Sequence, residues 1–317
     1  MGTINNKLNN VTVVIRCAGE ATEQLSYSLV SKQVQTDNIF LVHETPFVRA
    51  VIKTFEIGIE QANKWTLAID GDVLIFDNSI EELVEWAESC EDHFFEFQGR
   101  VFDKFFCSPR PGGPHLYRTK YLREALKYVP KEQENLRPES HTYKKMAEIG
   151  IHYYHDLKIY GLHDFFQFHR DIYRKCYVHA KKHNQYLEYF LTQWTTRSLK
   201  DNDYIFAIKG ILDGLINKHK TRADLNYFAN NKSSINFINE PAEIEPLKNL
   251  DDSIDEIMSS FKLDKPSEEF ANSIMNHFER SDVKKESSEK VSPAKNKFIW
   301  RFGSTIEKLG HFIKHKS

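Results

Sequence analysis

The 317-residue chain is poor in the residues that build several classes of protein. Its four cysteines, Cys17, Cys90, Cys107 and Cys176, stand far apart and form no CxxC. That spacing argues against a disulfide scaffold or a cysteine-based zinc site and suits a reducing compartment. Glycine (13) and proline (10) are sparse, which rules out collagen-like and low-complexity chains. No excess of one charge exists: 43 Lys+Arg face 45 Asp+Glu, so there is no bulk basic field and no nucleic-acid partner is expected. No stretch approaches the roughly 18 to 20 apolar residues that cross a bilayer. The polar opening MGTINNKLNN lacks the apolar run of a signal peptide. The expected protein is cytoplasmic, soluble or peripheral. Apolar residues at 40%, with 23 Phe and 14 Tyr, provide for a sizeable core.

The first 76 residues alternate between strand and helix patterns. VTVVIRC (11–17) is a β-branched run suited to a strand buried on both faces. ATEQLSYSLVSKQ spaces Leu25, Leu29 and Val30 as a helix does, and IFLVHE (39–44) reads as a second strand. Val48, Val51, Ile52, Phe55 and Ile59 line one side of a helix over 47–62, before the strand WTLAID (65–70) runs into GDVLIF. This order predicts an α/β fold, a Rossmann-type, mainly parallel sheet flanked by helices. Beyond it, SIEELVEWAESC reads as a helix and FFEFQGRVFDKFFCS as strand-forming. SPRPGGPHLYR (108–118) reads as a turn, KYLREALKYV as a helix, and His141 to His183 as mostly helical with seven histidines.

The expected organisation is a catalytic domain over 1–184, a mostly helical region over 185–280, a flexible linker over 281–297 and a basic amphipathic helix over 298–317. In that last helix Phe298, Phe302, Ile306, Leu309 and Ile313 share a face. From Lys295 onward six Lys/Arg stand against the single acid Glu307. An apolar stripe with a basic remainder fits an anionic membrane surface, at the inner membrane face; docking on the protein's own core is the alternative.

The main chemical signal is AIDGDVLIF. Asp70 and Asp72 stand at the carboxyl end of a strand, where open parallel sheets place their ligand crevice. Two carboxylates one residue apart can share Mn²⁺ or Mg²⁺, and Gly71 lets the backbone approach a ligand closely. The same residues also make ordinary turns.

VTVVIRCAGEATEQLSYSLVSKQ and FEIGIEQANKWTLAIDGDVLI resemble glycosyltransferase family 2 and related nucleotide-sugar transferases of the GT-A fold. The match is closest over residues 11–76 and looser through GGPHLYRTKYLREAL to about His183. The resemblance implies a GT-A-like catalytic domain in which Asp70 and Asp72 carry the metal and the donor diphosphate. Arg16, Gly19 and Glu20, with Gly71, would line the nucleotide site. It further implies a nucleotide-sugar donor and a glycan or lipid-linked acceptor. Thr54-Phe55-Glu56 departs from the family's Ala-Arg-Asn, and the usual Glu-Asp pair before a helix is missing. Glu139 stands at a comparable place with Ser140 beside it, as a candidate base or as a helix N-terminal carboxylate.

A late histidine often completes the metal site in such enzymes, and YGLHDFFQFHRD offers His163, with Asp164 adjacent as a catalytic carboxylate. His155 and His169 compete for the role. A zinc cluster of His152, His155, His163 and His169 lacks an HExxH pattern. FHRDIYRKCYVHAKKH interleaves five Lys/Arg, three His and three aromatics, a face for an anionic ligand or a solvated helix.

The expected activity is metal-dependent glycosyl transfer from a nucleotide sugar to an acceptor hydroxyl, in cell-envelope glycan or glycolipid synthesis. The alternatives are nucleotidyl transfer, disfavoured by the single glycine in RCAGEATEQ, and a non-catalytic, membrane-targeted scaffold with the same fold.

Overall fold

A computed structural model describes residues 7–216 apart from 133 and 136. The expected linker and basic helix lie outside the described residues. Seven strands form one sheet: β1 (Val11–Arg16), β2 (Ile39–Val42), β3 (Trp65–Asp70), β4 (Val73–Ile75), β5 (Phe94–Asp103), β6 (Ser108–Arg118) and β7 (His152–His163). Their spatial order is β2-β1-β3-β6-β5-β7-β4. The helices are α1 (Glu23–Gln33), α2 (Phe47–Gln61), α3 (Ser79–Ser89), α4 (Leu122–Ala125), α5 (Pro138–Glu148), α6 (His169–Lys182), α7 (Leu187–Arg197) and α8 (Asp203–Ile216).

The α/β class and the Rossmann-type first half match the sequence. β1 pairs in parallel with β2 on one side and β3 on the other. All six residues of β1 are buried, as a strand covered on both faces requires. One sheet face packs Leu29 and Val30 of α1 and Leu83, Val84 and Ala87 of α3 onto Val13, Ile15, Leu67 and Phe97. The other packs Val51 and Phe55 of α2 and Met146 of α5 onto Ala68, Phe95 and Tyr117. Phe55 stands edge-on to both of those rings and is 1% exposed, so Phe55→Ala should cost about 3–5 kcal/mol. Gly58 of α2 is a packing requirement. A Cβ there would lie 2.4 Å from Thr66 Oγ1 and 2.5 Å from Leu122 Cδ1, so the helix comes this close to β3 only without a side chain.

The second half departs from a mainly parallel sheet. β5 and β6 are joined by four residues, too few for a crossover, and pair antiparallel. β3–β6 and β4–β7 are also antiparallel, while β5–β7 is parallel across a long connection that holds α4 and α5. The sheet is therefore mixed.

Two further expectations are corrected. SPRPGGPHLYR is strand β6 rather than a turn. Its β3 partners run only from His115 to Arg118, so Pro109 and Pro111 lie where the strand pairs with β5 alone, Pro114 falls at the register shift between Pro111 and His115, and their missing N–H groups break no ladder on the other side. Residues 152–163, read as helical, form the twelve-residue β7. Its last four residues, Tyr160 to His163, are buried, with β5 on one side and β4 on the other. Gly161 also passes so close to β4 that a Cβ would sit 2.4 Å from the Leu74 carbonyl oxygen.

KYLREALKYV is helical only as the short α4 between two 3₁₀ turns. Beyond residue 184 the described chain is helical, and α8 packs closely on α6. A Cβ on Gly210 or Gly214 would come within 2.4 Å of the Tyr173 or Tyr177 carbonyl oxygen. No described helix is long and apolar enough to cross a membrane.

Candidate functional site

The site grows out of strand register. Parallel pairing of β1 with β3 puts Arg16 beside Asp70 at the carboxyl ends of both strands. Parallel pairing of β5 with β7 puts Asp103 beside His163, and antiparallel pairing of β4 with β7 puts Val73 beside the same histidine. The chain turns at Gly71 and Asp72, which breaks the alternation of β3 and sends the two carboxylates to different partners.

Asp70 faces Arg16. The guanidinium Nε donates to Asp70 Oδ1 at 2.8 Å and Nη1 donates to Glu139 Oε1 at 2.6 Å, with the Phe47 ring 4.9 Å away. The Tyr117 hydroxyl donates to the same Glu139 oxygen at 2.7 Å, and His115 Nε2 lies 3.4 Å from Glu139 Oε2. On its other side, His115 Nδ1 meets the buried Glu96 Oε1 at 2.5 Å. Burial alone would raise the Glu139 carboxyl, yet Arg16 and His115 outweigh it and draw its pKa down to about 2. A carboxylate so held is ionised and a weak proton acceptor. Glu139 opens α5 directly after Pro138 at its first turn.

Asp72, His163 and Asp164 form a second group. Their ligand atoms all lie within 4.8 Å of one another, and all three residues are buried. His163 Nε2 is 3.6 Å from Asp72 Oδ1, too long for a hydrogen bond. That carboxylate oxygen is buried and has no hydrogen-bond partner among the described residues. The other ring nitrogen, Nδ1, is 2.9 Å from Asp103 Oδ2 and 3.0 Å from Asp164 Oδ2. Asp103 is itself fixed by the Phe105 and Phe106 N–H groups at 2.9 and 2.8 Å and by Arg110 Nε at 2.6 Å. A carboxylate on Nδ1 leaves Nε2 as the ligating atom, the arrangement that orients metal-bound histidines.

Lys175 of α6 donates to both Asp72 Oδ2 and Asp164 Oδ1. Its ammonium lies between the two carboxylates. Burial opposes charge on His163, but Asp164 and Asp72 prevail and push its pKa up to about 10. The same balance holds Asp72 and Asp164 below the usual carboxylate range: burial raises them, and Lys175 and His163 lower them further. Two carboxylates, one of them with an orphaned oxygen, and an imidazole nitrogen fit Mn²⁺ or Mg²⁺, and the nitrogen favours Mn²⁺.

The β1–α1 loop borders this group. Glu20 Oε2 accepts from the Ala18 N–H at 2.6 Å, and burial together with Asp72 raises the Glu20 pKa to about 7. Gly19 sits at φ +85°, the left-handed region that favours glycine. Gly71 donates its N–H to the Arg16 carbonyl at 2.8 Å, and a Cβ there would stand 3.1 Å from Glu20 Oε2.

Asp72 and His163 thus meet as the sequence suggested. Asp164, expected as a catalytic carboxylate, joins them as a ligand-type group with φ +65° and its N–H toward the Asp72 carbonyl at 3.3 Å. Asp70 and Glu139 belong to the Arg16 group. His169 is engaged by Asp203 at 3.1 Å and stacked on Phe206, and His155 lies among Tyr143 and Tyr153. Sequence reasoning missed Lys175, Asp103 and Arg110. Lys175 stood inside the basic aromatic stretch, but only the packing of α6 brings it to Asp72.

No known family and no curated protein matches the chain by sequence. Among solved structures, the chain is similar to a glycosyltransferase involved in glycosylation of the major capsid of PBCV-1, at 11% identity and TM-score 0.37 over 49% of this chain and 94% of that one. It is similar to the mannosyltransferase PcManGT from Pyrobaculum calidifontis in complex with GDP-Man and Mn²⁺, at 11% identity and TM-score 0.37 over 66% and 88%. A cytidylyltransferase from Leptospira borgpetersenii is similar at 8% identity and TM-score 0.34 over 68% and 100%.

Proposed function

We propose that the chain is a metal-dependent glycosyltransferase that passes a sugar from a nucleotide-sugar donor to an acceptor hydroxyl in a cell-envelope glycan or glycolipid. The observation that carries this reading is the buried Asp72–His163–Asp164 group at the strand ends, with its orphaned carboxylate oxygen. The loop of Gly19 and Glu20 beside it supports a nucleotide neighbour. Mn²⁺ or Mg²⁺ held by these three residues would neutralise the charge that develops on a departing diphosphate.

The chain's own groups prepare for that. Asp103 keeps His163 turned with Nε2 toward Asp72. Lys175 balances the charge of the two carboxylates that would hold the metal. Arg16 holds Asp70 at the rim, where the side chain remains 29% exposed and open to a donor. Glu139 serves Arg16, Tyr117 and His115, which argues against its acting as the base toward an acceptor hydroxyl.

A thermal-shift screen of nucleotide sugars with and without Mn²⁺, followed by product analysis, tests the reading. The expected result is stabilisation by one nucleotide sugar that requires Mn²⁺, with release of the nucleoside diphosphate. Pyrophosphate released from a nucleoside triphosphate would replace this reading with nucleotidyl transfer. Ligand binding without turnover would indicate a scaffold.

The sequence of residues 298–317 supports a site of action at an anionic membrane face. Deleting residues 292–317 is expected to release the protein from anionic liposomes and leave donor hydrolysis unchanged. Retention on the liposomes would overturn that placement.

A further inference from the structure

A second group of metal-type ligands lies at the carboxyl ends of β1 and β2. Cys17 follows the last residue of β1, His43 follows the last residue of β2, and Glu23 opens α1. The thiol, one carboxylate oxygen and one ring nitrogen all lie within 4.8 Å of one another. The backbone fixes two of these positions, because the Cys17 N–H donates to the Val42 carbonyl at 2.8 Å and His43 is the next residue. His43 Nε2 meets Glu23 Oε1 at 2.8 Å.

We propose that Cys17, Glu23 and His43 form a zinc site, separate from the Asp72 group. Thiolate, imidazole and carboxylate are a recurring ligand mix for Zn²⁺, with bonds of about 2.3 Å to sulfur and about 2.0–2.2 Å to nitrogen or oxygen. Tetrahedral bonds of those lengths place ligand atoms about 3.3–3.7 Å apart. The three atoms lie within 4.8 Å of one another, the 2.8 Å Glu23–His43 contact is shorter than that range, and the 55% exposed His43 side chain has room to adjust. The burial gradient supplies an entry path: the thiol lies deepest at 3% exposure, the Glu23 carboxylate is next at 14%, and the imidazole stands at the surface. Three protein ligands leave a fourth position for water or an incoming group.

The two metal sites then differ in softness. Asp72 and Asp164 offer hard oxygens with one nitrogen, whereas Cys17 offers sulfur, which Mn²⁺ and Mg²⁺ do not select. Zinc at the second site ties together the end of β1, the head of α1 and the end of β2. Those elements frame the loop that carries Gly19 and Glu20.

Cobalt titration of the metal-stripped full-length chain tests this, because thiolate coordination gives a sulfur-to-cobalt charge-transfer band that oxygen and nitrogen ligands do not. The expected result is a thiolate band that saturates at one equivalent, is bleached by Zn²⁺, disappears in Cys17→Ser and persists in Asp72→Asn. His43→Gln alters a surface side chain, so its fold is unthreatened. It should weaken zinc binding at least roughly tenfold. No thiolate band in the parent chain overturns the proposal. So does a band that survives Cys17→Ser, which would assign it to Cys90, Cys107 or Cys176. If Cys17→Ser does not fold, His43→Gln and Glu23→Gln decide: unchanged zinc affinity in both overturns the site.

Discussion

The two buried charge clusters at the strand ends hold their carboxylates with different cations. Around Glu139 the cation is Arg16, on a sheet strand, with its planar fork engaged by Asp70 and Glu139 and set against Phe47. Around Asp72 it is Lys175, a point charge on a flexible stem that reaches from α6 to two carboxylates. A guanidinium is pre-organised for the fork it fills, whereas a lysine ammonium is a compact point charge on a flexible stem. On the proposed function, the first cluster is a fixed network and the second would hold the metal.

Substitutions can break this contrast, beginning with Asp72→Asn. It removes one ligand charge and should lower donor turnover roughly 10²- to 10³-fold while the far-UV CD spectrum persists, with Tm lowered because Lys175 loses a charge partner. Near-normal Mn²⁺-dependent turnover would remove the metal role from the second cluster. Glu139→Gln acts on the other side. It leaves buried Arg16 without half its charge balance and should cost about 3 kcal/mol in urea unfolding, with Mn²⁺ affinity little changed. A stable variant that has lost turnover would restore Glu139 as the base.

Lys175→Met sharpens the contrast. Removing the resident ammonium should tighten Mn²⁺ binding roughly tenfold, measured by paramagnetic relaxation, and should destabilise the metal-free protein. Weaker Mn²⁺ binding would make Lys175 part of the site instead of its placeholder.

The smallest effect concerns histidines of opposite environment. His163 is held protonated by its carboxylates, but His179 lies among the rings of Phe106, His183 and Phe190, and burial draws its pKa down to about 3. A lowered folded-state pKa means the unfolded chain binds the proton more readily below pH 6.5. The stability contributed by neutral His179 is therefore fully present above about pH 6.5 and is lost as pH falls toward 3. The loss should be about 1 kcal/mol per pH unit. Chemical denaturation at pH 7 and pH 5 should show a smaller acid loss in His179→Phe than in the parent chain. An equal loss in both would assign the acid sensitivity elsewhere.

Local pattern by itself determined the strand–helix alternation of residues 11–76, because β1 and β3 are nearly continuous buried runs and α2 buries an apolar stripe. It also marked Asp72 and His163, residue types with recognisable metal chemistry at a strand end and beside a glycine. Only the tertiary structure decided which carboxylates meet. The turn at Gly71 parts Asp70 from Asp72, a separation that an Asp-Gly-Asp spacing does not reveal. The register of β5 with β7 brings Asp103 to His163 across sixty positions, and the docking of α6 delivers Lys175 across a hundred and three. β6 and β7 were hidden for the same reason. Prolines are tolerated in β6 because its partner on one side stops at His115, and β7 is a strand because two neighbouring strands satisfy its backbone. Local periodicity reports which face of a segment is apolar, but register and partner are settled by hydrogen bonds between segments far apart in the chain.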